Sequence, residues 1–470
     1  MNKRNKFYIT TAIDYINDVI HIGHAFQKIA ADVLARYHRL LGDNVFFLTG
    51  VDEHGSKAET AAQKAGIEIK DWCDKISQAD EEQLRLLNIS FDRFIRTSDP
   101  DHKKTVVDFW NKVEKTGDIY LGEYTGIYCE GCESFITEKE LVDGKCALHP
   151  QLTLKKITEE NYFFRWSKYK DFLKDYIKNH PQFILPESRK KEMLNFLEEI
   201  KDIPVSRPSV KWGILVPGNP KHTIYVWFDA LINYISGAPK GFWPADVHLL
   251  GKDNSRWHAL LWPAILKSAG YEIPKTVYVH GFLSLNGQKI SKSLGNIIRP
   301  SDLVKEFGAD PIRYYLLKIK PLADDGDISV EKIKETYNGD LANGLGNLLE
   351  RVFTLIINNN IKLETQALSK ETKEAEEKYH SYMQNFQLFE ALREIFSFIK
   401  KLDKYIDEKK PWLNPDPIVL NSLFNGIEKI LEWMEPFMPS KTKQARDYIE
   451  KIKNKELGKD EKLNLFPRIK

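Results

Sequence analysis

Two short segments of the chain concentrate side chains that suit phosphate chemistry. His21-Ile22-Gly23-His24 lies where a loop enters a helical pattern, and Lys289-Ile290-Ser291-Lys292-Ser293 follows an Asn286-Gly287 turn. Backbone N–H groups and the helix dipole favour an anion at a helix start, and imidazoles and lysines add donors and charge. Either segment alone is more typical of a capped helix or a solvated basic loop. Their joint presence predicts that the chain binds a nucleoside triphosphate.

A third cluster combines cysteine with histidine. The pairs Cys129–Cys132 and Cys146–His149 each have two intervening residues, and thirteen residues separate the pairs. Four such ligands suit a closed, tetrahedral zinc site, and Gly131 allows the tight turn that the first pair needs. The alternative is a chance group of reduced cysteines. We expect one structural Zn²⁺.

The composition narrows the class of protein. At 470 residues the chain exceeds the ~250–300 at which single cores stop growing, so we expect two to four domains. A net charge of +2 lacks the basic excess of most nucleic-acid binders, so any RNA contact must come from local patches. Asp14, Asn17 and Asp18 interrupt the first apolar run, and no stretch approaches the ~20 apolar residues of a membrane span. We expect a cytoplasmic protein.

The elements that position these residues begin with a strand–helix–strand pattern. Residues 7–11 and 44–49 are apolar runs of strand length, joined by apolar residues at helical spacing that end at Gly42. Short joints of this kind predict parallel strands in a doubly wound, Rossmann-like α/β sheet. The pattern returns with strands expected at 222–228, 246–250 and 276–285 and a helix at 255–269.

The domain order follows from changes in this pattern. Residues 116–200 carry the cysteine cluster and aromatic-rich segments, so we interpret them as an insertion that splits one sheet. Apolar residues at helical spacing over 331–360, 371–408 and 416–454 predict a helical bundle. The expected domains are the first half of the catalytic domain at 1–115, the zinc-binding insertion at 116–200, the second half at 201–288, a lysine-loop and linker region at 289–345, and a helical domain at 346–470.

Together, the two phosphate-handling segments resemble those of the class I aminoacyl-tRNA synthetases. Over nearly the whole chain the surrounding sequence is similar to the methionyl-tRNA synthetase family. The similar stretches are Phe91-Asp92-Arg93-Phe94-Ile95-Arg96-Thr97, Asn161-Tyr162-Phe163-Phe164-Arg165, Tyr225-Val226-Trp227-Phe228-Asp229-Ala230-Leu231, Gly251-Lys252-Asp253, His280-Gly281-Phe282, Asp327-Ile328-Ser329, Asn347-Leu348-Leu349-Glu350-Arg351 and Leu465-Phe466-Pro467-Arg468-Ile469. The resemblance implies an ATP-dependent ligase that activates L-methionine and loads it onto initiator and elongator tRNA(Met).

The resemblance also assigns roles to residues. Methionine binding falls on Ile13, Tyr15, Asp52, Trp227, Ala230, Leu231, Tyr234 and His258. ATP binding, with Mg²⁺ on the triphosphate, falls on His21, Gly23, His24, Asp253, Lys289, Ser291 and Lys292. Of these, His21, His24, Lys289 and Lys292 are expected to be catalytic. The types fit, because Asp52 can pair with an ammonium group and aromatic rings suit a thioether.

The chain departs from the family pattern at three positions. Ala12 stands where many members have proline, and Asp14 where they have tyrosine or proline. These two affect the rigidity and charge of the loop before Tyr15. Ile290 replaces the usual methionine of the lysine loop, a volume-conserving change that should matter little.

The helical domain is expected to bind the CAU anticodon through Asn347, Arg351 and Trp412. Asn347 and Arg351 are four residues apart and share a helix face, and Trp412 can stack on a base. Without the family, a surface pair and a packed tryptophan would be the better interpretation. We also expect a monomer, because the chain ends soon after this domain.

Three alternatives remain open. A class I synthetase for another amino acid is disfavoured by residues 227–234. A small-molecule adenylyltransferase has a similar H-x-G-H motif but no use for the helical domain. An RNA-binding paralogue without activity is disfavoured by His21, His24 and Lys292.

Overall fold

The chain folds into two compact units in the computed structural model. The structure describes residues 5–132, 134–136, 141–147, 149–290, 295–364, 368–458 and 461–469. The first unit comprises Met1–Ile20, Gly42–Arg85 and Ser90–His280. The second comprises His21–Leu41, Leu86–Ile89 and Gly281–Lys470. No helix among the described residues has both the length and the apolar character to cross a bilayer.

Strands occur up to residue 328, and the described residues beyond them form only helices as regular structure. The strands are β1 (Lys6–Thr11), β2 (Asp14–Tyr15), β3 (Asn44–Asp52), β4 (Arg93–Arg96), β5 (Ile119–Cys129), β6 (Ser134–Ile136), β7 (Leu141–Val142), β8 (Lys145–Cys146), β9 (Lys155–Phe164), β10 (Ile184–Leu185), β11 (Ile203–Pro204), β12 (Ser206–Arg207), β13 (Leu215–Val216), β14 (Asn219–Ile224), β15 (Val247–Gly251), β16 (Thr276–His280), β17 (Leu283–Leu285), β18 (Gln288–Lys289) and β19 (Gly326–Ile328). The α-helices are α1 (Ile22–Leu40), α2 (Ser56–Ala65), α3 (Ile69–Leu86), α4 (Pro100–Lys115), α5 (Lys170–Asn179), α6 (Glu187–Leu197), α7 (Val226–Leu231), α8 (Asn233–Ser236), α9 (Trp262–Ala269), α10 (Pro300–Phe307), α11 (Ala309–Lys318), α12 (Val330–Thr336), α13 (Asn347–Asn358), α14 (Lys370–Gln384), α15 (Leu388–Lys409), α16 (Pro417–Met434) and α17 (Pro439–Lys453). Short 3₁₀ turns lie at Trp166–Tyr169 and Lys252–Asn254, and π-helical segments at Trp257–Leu261 and Tyr337–Gly346.

A parallel sheet forms the centre of the first unit. Its order is β10-β16-β15-β1-β3, with β2 and β4 also paired to β3, and every pairing is parallel. All residues of β15 and β16 are buried, as expected for strands covered on both faces. The prediction of a doubly wound sheet split by an insertion is confirmed. Because ligands bind at the carboxyl ends of such strands, Asp52 and the turn after β15 lie at the functional edge.

The insertion is built from antiparallel strands. The long hairpin partners β5 and β9 pair from Ile119 opposite Phe164 to Tyr128 opposite Lys155, and β6 and β11 flank them. The short ribbon of β7 and β8 brings Cys146 opposite Leu141. The hairpin therefore carries the cysteine cluster at its far end from the parallel sheet.

The second unit combines α1 with strands β17–β19 and helices α10–α17. Arg313 of α11 is fully buried, and its Nη2 lies 2.7 Å from Asp32 Oδ2 of α1. The same guanidinium donates to the carbonyls of Pro436 at 2.8 Å and Phe437 at 2.9 Å, in the turn between α16 and α17. Since buried charges are costly unless paired and hydrogen-bonded, these contacts fix three elements of the unit together.

Two strand predictions were wrong in part. Residues 222–228 divide into β14, which lies in an antiparallel sheet with β12 and β13, and α7. The run is buried on all sides, so its pattern could not separate strand from helix. Residues 276–285 form two strands rather than one, because Gly281 turns against the Asp324 carbonyl, 1.9 Å from where a Cβ would stand.

The apolar spacing correctly predicted helices in the second half of the chain, but two of the predicted helical segments are each divided into two helices. Residues 371–408 form α14 and α15, separated at Phe386, which adopts a positive φ of 60°. Residues 416–454 form α16 and α17, with Pro439 beginning the second helix. In both cases the apolar spacing continues across a break that turns the chain.

Candidate active site

Tyr15 and Asp52 face each other at the carboxyl end of the sheet. They are directly opposite in the pairing of β2 with β3, and Asp52 is 4% exposed. The Tyr15 ring meets the Trp227 ring edge-on, at 6.3 Å between centroids. A buried carboxylate beside two aromatic rings offers an ammonium partner next to an apolar surface.

An aromatic and histidine wall continues from Trp227. Its ring stacks on Trp257 at 4.6 Å and 17°, and Tyr234 Oη lies 2.7 Å from His258 Nε2. His258 Nδ1 lies 2.9 Å from the Asn254 carbonyl, so this nitrogen carries the proton. Burial lowers the pKa of His258 to about 4, which keeps the ring neutral. Nε2 must then accept, and the Tyr234 hydroxyl donates to it.

The predicted methionine-binding residues all lie in the first unit. Ile13 and Tyr15 pack against the core cluster that contains Trp227, Leu231 and Tyr234. The remaining ones are buried: Asp52, Ala230 and His258. Asp253 is exposed in the 3₁₀ turn that follows β15.

The departures before Tyr15 are accommodated by hydrogen bonding. Ala12 donates its N–H to the Leu249 carbonyl at 3.1 Å, which extends the contact of β1 with β15. Proline has no N–H and could not make this bond. Asp14 of β2 lies opposite Val51 of β3, so the residue that departs from the family pattern takes part in the strand pairing.

His21 and His24 cap the start of α1 reciprocally. Gly23 N–H donates to His21 Nδ1 at 3.0 Å, and His21 N–H donates to His24 Nδ1 at 3.2 Å. Burial and nearby Lys28 lower the pKa of His24 to about 3, so the ring is neutral. Each ring therefore carries its proton on Nε2, a donor suited to a phosphate oxygen.

Gly23 has a structural reason to be glycine. A Cβ there would lie 2.8 Å from His21 Cε1 and 3.0 Å from Nδ1. A side chain would therefore displace the imidazole from its cap. The structure shows the capped helix, and phosphate binding by the same two histidines stays a prediction.

The lysine loop is joined to this helix start within the second unit. Ile22 N–H donates to the Ile298 carbonyl at 3.0 Å, and Asn296 Nδ2 donates to the Lys289 carbonyl at 3.0 Å. The first bond joins the chain after the loop to α1, and the second joins the two sides of the loop to each other. Ser291 and Lys292 lie outside the described residues.

The cysteine cluster forms a compact set of ligand atoms. Those of Cys129, Cys132, Cys146 and His149 lie within 4.8 Å of one another, with Cys132 Sγ 3.3 Å from His149 Nδ1 and 3.5 Å from Cys146 Sγ. Tetrahedral zinc ligands are roughly 3.5–3.8 Å apart. A Cβ on Gly131 would lie 2.4 Å from His149 Cγ, so this glycine makes room for the imidazole. The donor set therefore fits zinc.

Arg351 and Trp412 come together in the helical part of the second unit. The guanidinium lies 5.7 Å from the centre of the Trp412 ring, and Nη2 donates to Asp407 at 2.8 Å. Trp412 is 46% exposed, and Asn347 is exposed at the first residue of α13. Trp412 is thus about half buried with the Arg351 guanidinium near its ring, and the anticodon assignment stays a prediction.

Sequence reasoning missed a buried network beside Asp52. Asp229 Oδ2 lies 2.6 Å from His54 Nδ1, and Oδ1 lies 2.8 Å from His102 Nε2. Thr97 Oγ1 lies 3.5 Å from Asp52 Oδ1. The only signal was that Asp229 and Thr97 occur in stretches similar to the synthetase family.

Comparisons with known proteins agree with this arrangement. A family model described as class I tRNA synthetases (M) matches residues 7–153 and 140–353, and one described as the anticodon-binding domain of tRNA ligases matches residues 365–468. The methionine–tRNA ligase of Thermotoga maritima is 42% identical over 471 residues, which cover 94% of this chain and 74% of that protein. That of Caldanaerobacter subterraneus subsp. tengcongensis is 43% identical, covering 94% and 73%.

A solved structure is similar over its full length. The Mycobacterium tuberculosis methionyl-tRNA synthetase in complex with methionyl-adenylate superimposes with a TM-score of 0.90 at 35% identity, covering 99% of this chain and 100% of that one. The parallel sheet, the capped helix start and the family models define the class, that of the class I tRNA synthetases. Identities above 40% over most of both chains narrow it further. The chain belongs to the methionine–tRNA ligase family.

Proposed function

We propose that this chain is a methionine–tRNA ligase. It joins L-methionine to the AMP part of ATP, which forms methionyl-adenylate and releases pyrophosphate. It then transfers methionine from the adenylate to the 3′-terminal adenosine of tRNA(Met). The observation that carries the proposal is the grouping of Tyr15, Asp52 and Trp227 at the carboxyl edge of the parallel sheet. It offers a carboxylate for the substrate ammonium beside aromatic surface for the side chain. Family membership supports the same assignment.

The methionine carboxylate attacks the α-phosphorus in line, and the pyrophosphate oxygen leaves with the bonding electrons. The protein's contribution is then positioning and stabilisation of charge on the phosphates. Nε2–H of His21 and His24 would donate to phosphate oxygens, and Gly23 would leave space for the adenine. Asp253 would bind the ribose, and Lys289, Ser291 and Lys292 the departing pyrophosphate. Mg²⁺ would accompany the triphosphate as part of the substrate.

Pyrophosphate exchange across a panel of amino acids tests the reaction and its specificity. We expect exchange that depends on methionine and not on leucine, isoleucine or cysteine. Exchange driven best by another amino acid would identify a different class I enzyme. Absence of exchange with every amino acid would contradict a synthetase.

Lys292→Ala tests the lysine loop. We expect the kcat of exchange to fall by on the order of 10²-fold or more while the methionine Kd stays within a factor of two, because the lysine would meet only the phosphates. The matched control is Lys305→Ala in α10, which lies outside the proposed site. Normal exchange in the Lys292 variant would refute the role.

We further propose that the cysteine cluster holds one structural Zn²⁺, because four protein ligands leave no open position. The metal would order the end of the β5–β9 hairpin, where Cys129, Ile136 and Cys146 form a small core of their own. Its stoichiometry is open to metal analysis of the purified protein.

Asn347, Arg351 and Trp412 are our proposed anticodon contacts, for initiator and elongator tRNA(Met) alike. Stacking of one base on Trp412 would contribute about 1–3 kcal/mol, so Trp412→Ala should raise the tRNA KM about ten-fold or more without changing pyrophosphate exchange. Its neighbour Leu413 is 74% exposed, and Leu413→Ala is the matched control. Equal effects of the two variants, or none, would contradict the assignment.

We also propose a cytoplasmic monomer. No disulfide joins the described cysteines, which agrees with a reducing compartment. Among the described residues nine large apolar side chains are exposed, spread along the chain from Leu40 to Ile418, and some exposed apolar residues are usual on monomers. Sedimentation equilibrium is the test of the monomer.

A further inference from the structure

Asp229 is a buried carboxylate with two histidine partners. It lies in the middle of α7 and is 0% exposed, while His54 and His102 are 3% and 0% exposed. The contacts are short, 2.6 Å from Oδ2 to His54 Nδ1 and 2.8 Å from Oδ1 to His102 Nε2. A buried carboxylate is costly unless each oxygen accepts a hydrogen bond, and here both do.

The direction of each hydrogen bond follows from the charge of Asp229. Burial would raise its pKa, but His54 and His102 more than offset this and bring it to about 2, so the group is an anion. An anion only accepts, so His54 donates from Nδ1 and His102 from Nε2. His102 Nδ1 lies 2.8 Å from Ser236 Oγ, which extends the network into α8.

The network reaches the proposed methionine site from two sides. His54 is two residues after Asp52, and its N–H donates to Asp52 Oδ1 at 3.3 Å. Thr97 Oγ1 accepts from the N–H of Glu53, the residue between Asp52 and His54, at 2.9 Å. Hydrogen bonds therefore fix the backbone of both residues that follow Asp52. Asp229 itself shares the six-residue helix α7 with Trp227 and Ala230. One carboxylate thus connects the end of β3, which carries the proposed ammonium partner Asp52, with the helix that carries Trp227.

We propose that Asp229 is a positioning residue for methionine, because it fixes Asp52 relative to Trp227 through His54. The inference rests on the proposed function, in which Asp52 and Trp227 contact the substrate. A site held within about 0.5 Å of its productive geometry loses much of its affinity when the supporting hydrogen bonds are removed. Loss of Asp229 should therefore affect methionine far more than ATP.

Asp229→Asn is the first test. The amide keeps the shape but replaces one acceptor with a donor, so it cannot accept from both histidines. We expect the methionine KM in pyrophosphate exchange to rise on the order of ten-fold or more, and the ATP KM to change less than two-fold. The KM ratio separates positioning from general damage, which would change both.

Two His54 variants keep the proposal testable if Asp229→Asn does not fold. His54→Asn places an amide nitrogen near the position of Nδ1 and should retain the hydrogen bond and a near-native methionine KM. His54→Leu removes the donor and should raise the methionine KM as Asp229→Asn does. Equal methionine KM values in the two His54 variants would overturn the proposal.

Asp118→Asn is the matched control for loss of a buried carboxylate. Asp118 is 1% exposed in the same unit and accepts from Lys168 and Ser268. We expect a lower melting temperature and an unchanged methionine KM.

A native methionine KM in Asp229→Asn, with only the melting temperature lowered, would reduce Asp229 to a structural residue and overturn the inference. A wild-type chain without methionine-dependent exchange would instead contradict the proposed function.

Discussion

At the scale of single residues, the two nitrogens of the His24 ring have separate tasks. Nδ1 accepts the His21 N–H in the cap, and Nε2 is left as the proposed phosphate donor. His24→Asn can keep an acceptor near Nδ1 but removes the donor. We expect a fall in the kcat of pyrophosphate exchange of about 10²-fold with little change in the urea midpoint.

The complementary variant is His24→Gln, which keeps a donor near Nε2 and loses the cap. It should retain more activity than His24→Asn and lose about 1 kcal/mol of unfolding free energy. Exchange assays and urea unfolding on the same preparations compare the two. A reversed order in either measurement would contradict the assigned tautomer.

The sequence could supply the types of the site residues but not all their partners. Asp229 stands in a stretch that matches the family, yet its partners His54 and His102 are 175 and 127 residues away. No local spacing relates them, because only the packing of α7 against the loop after β3 and the start of α4 brings them together. His21 and His24 are different, since their mutual caps are local and their spacing could be interpreted directly.

At the scale of elements, the proposed zinc site at the end of the β5–β9 hairpin has room for His149 because residue 131 is glycine. A Cβ on Gly131 would lie 2.4 Å from His149 Cγ, whereas one on Gly122, in β5 itself, would meet Tyr120 at an ordinary 3.5 Å. Gly131→Ala should therefore weaken zinc binding about as much as loss of His149 does. Gly122→Ala should leave it unchanged.

Zinc release to a chromogenic chelator measures this difference. Because apparent binding energies of structural zinc are on the order of 10 kcal/mol, a chelator should also expose the hairpin end to proteolysis while the parallel sheet stays resistant. Equal zinc retention in the Gly131 and Gly122 variants would contradict this prediction. It would show that a small shift of His149 relieves the contact with the Cβ added at residue 131.

Sequence periodicity predicted helices beyond residue 331 but not where the chain turns. The apolar spacing of 371–408 continues from α14 into α15, and the break is a backbone event, the positive φ of 60° at Phe386. Phenylalanine gives no signal for such a turn, unlike glycine or asparagine. The same limit applies to 222–228, where complete burial hides the change from β14 to α7.

At the scale of the whole molecule, the fold class was predictable because its signals are long and repeated. Apolar strands, the helix after β1 and the late helical periods each point to the same architecture, and the parallel pairings confirm it. Which segments of the chain make up each of the two compact units was not predictable. Residues 21–41 lie between β2 and β3 in sequence, both in the first unit, but belong with residues 281–470.

The whole molecule should lose stability as the pH falls below about 6.5. Burial lowers the pKa of His248 well below its usual value and that of His258 to about 4, and burial with Lys28 lowers that of His24 to about 3. In the unfolded chain each titrates near ~6.5, so below that pH the unfolded state binds more protons and unfolding is favoured. Each histidine contributes up to about 1.4 kcal/mol per pH unit between its two pKa values.

Urea unfolding midpoints from pH 8 to pH 4 test this linkage. We expect a plateau at neutral pH and a steady fall below it, to which Asp229, with its pKa of about 2, adds only under more acidic conditions. In His248→Asn the amide can still hydrogen-bond to Thr10 Oγ1, the partner of the His248 ring. The fall of unfolding free energy with pH should be less steep in this variant, by the amount that corresponds to the uptake of at most one proton on unfolding. If unfolding free energy falls equally steeply with pH in wild type and in His248→Asn, His248 does not contribute to the loss of stability below pH 6.5.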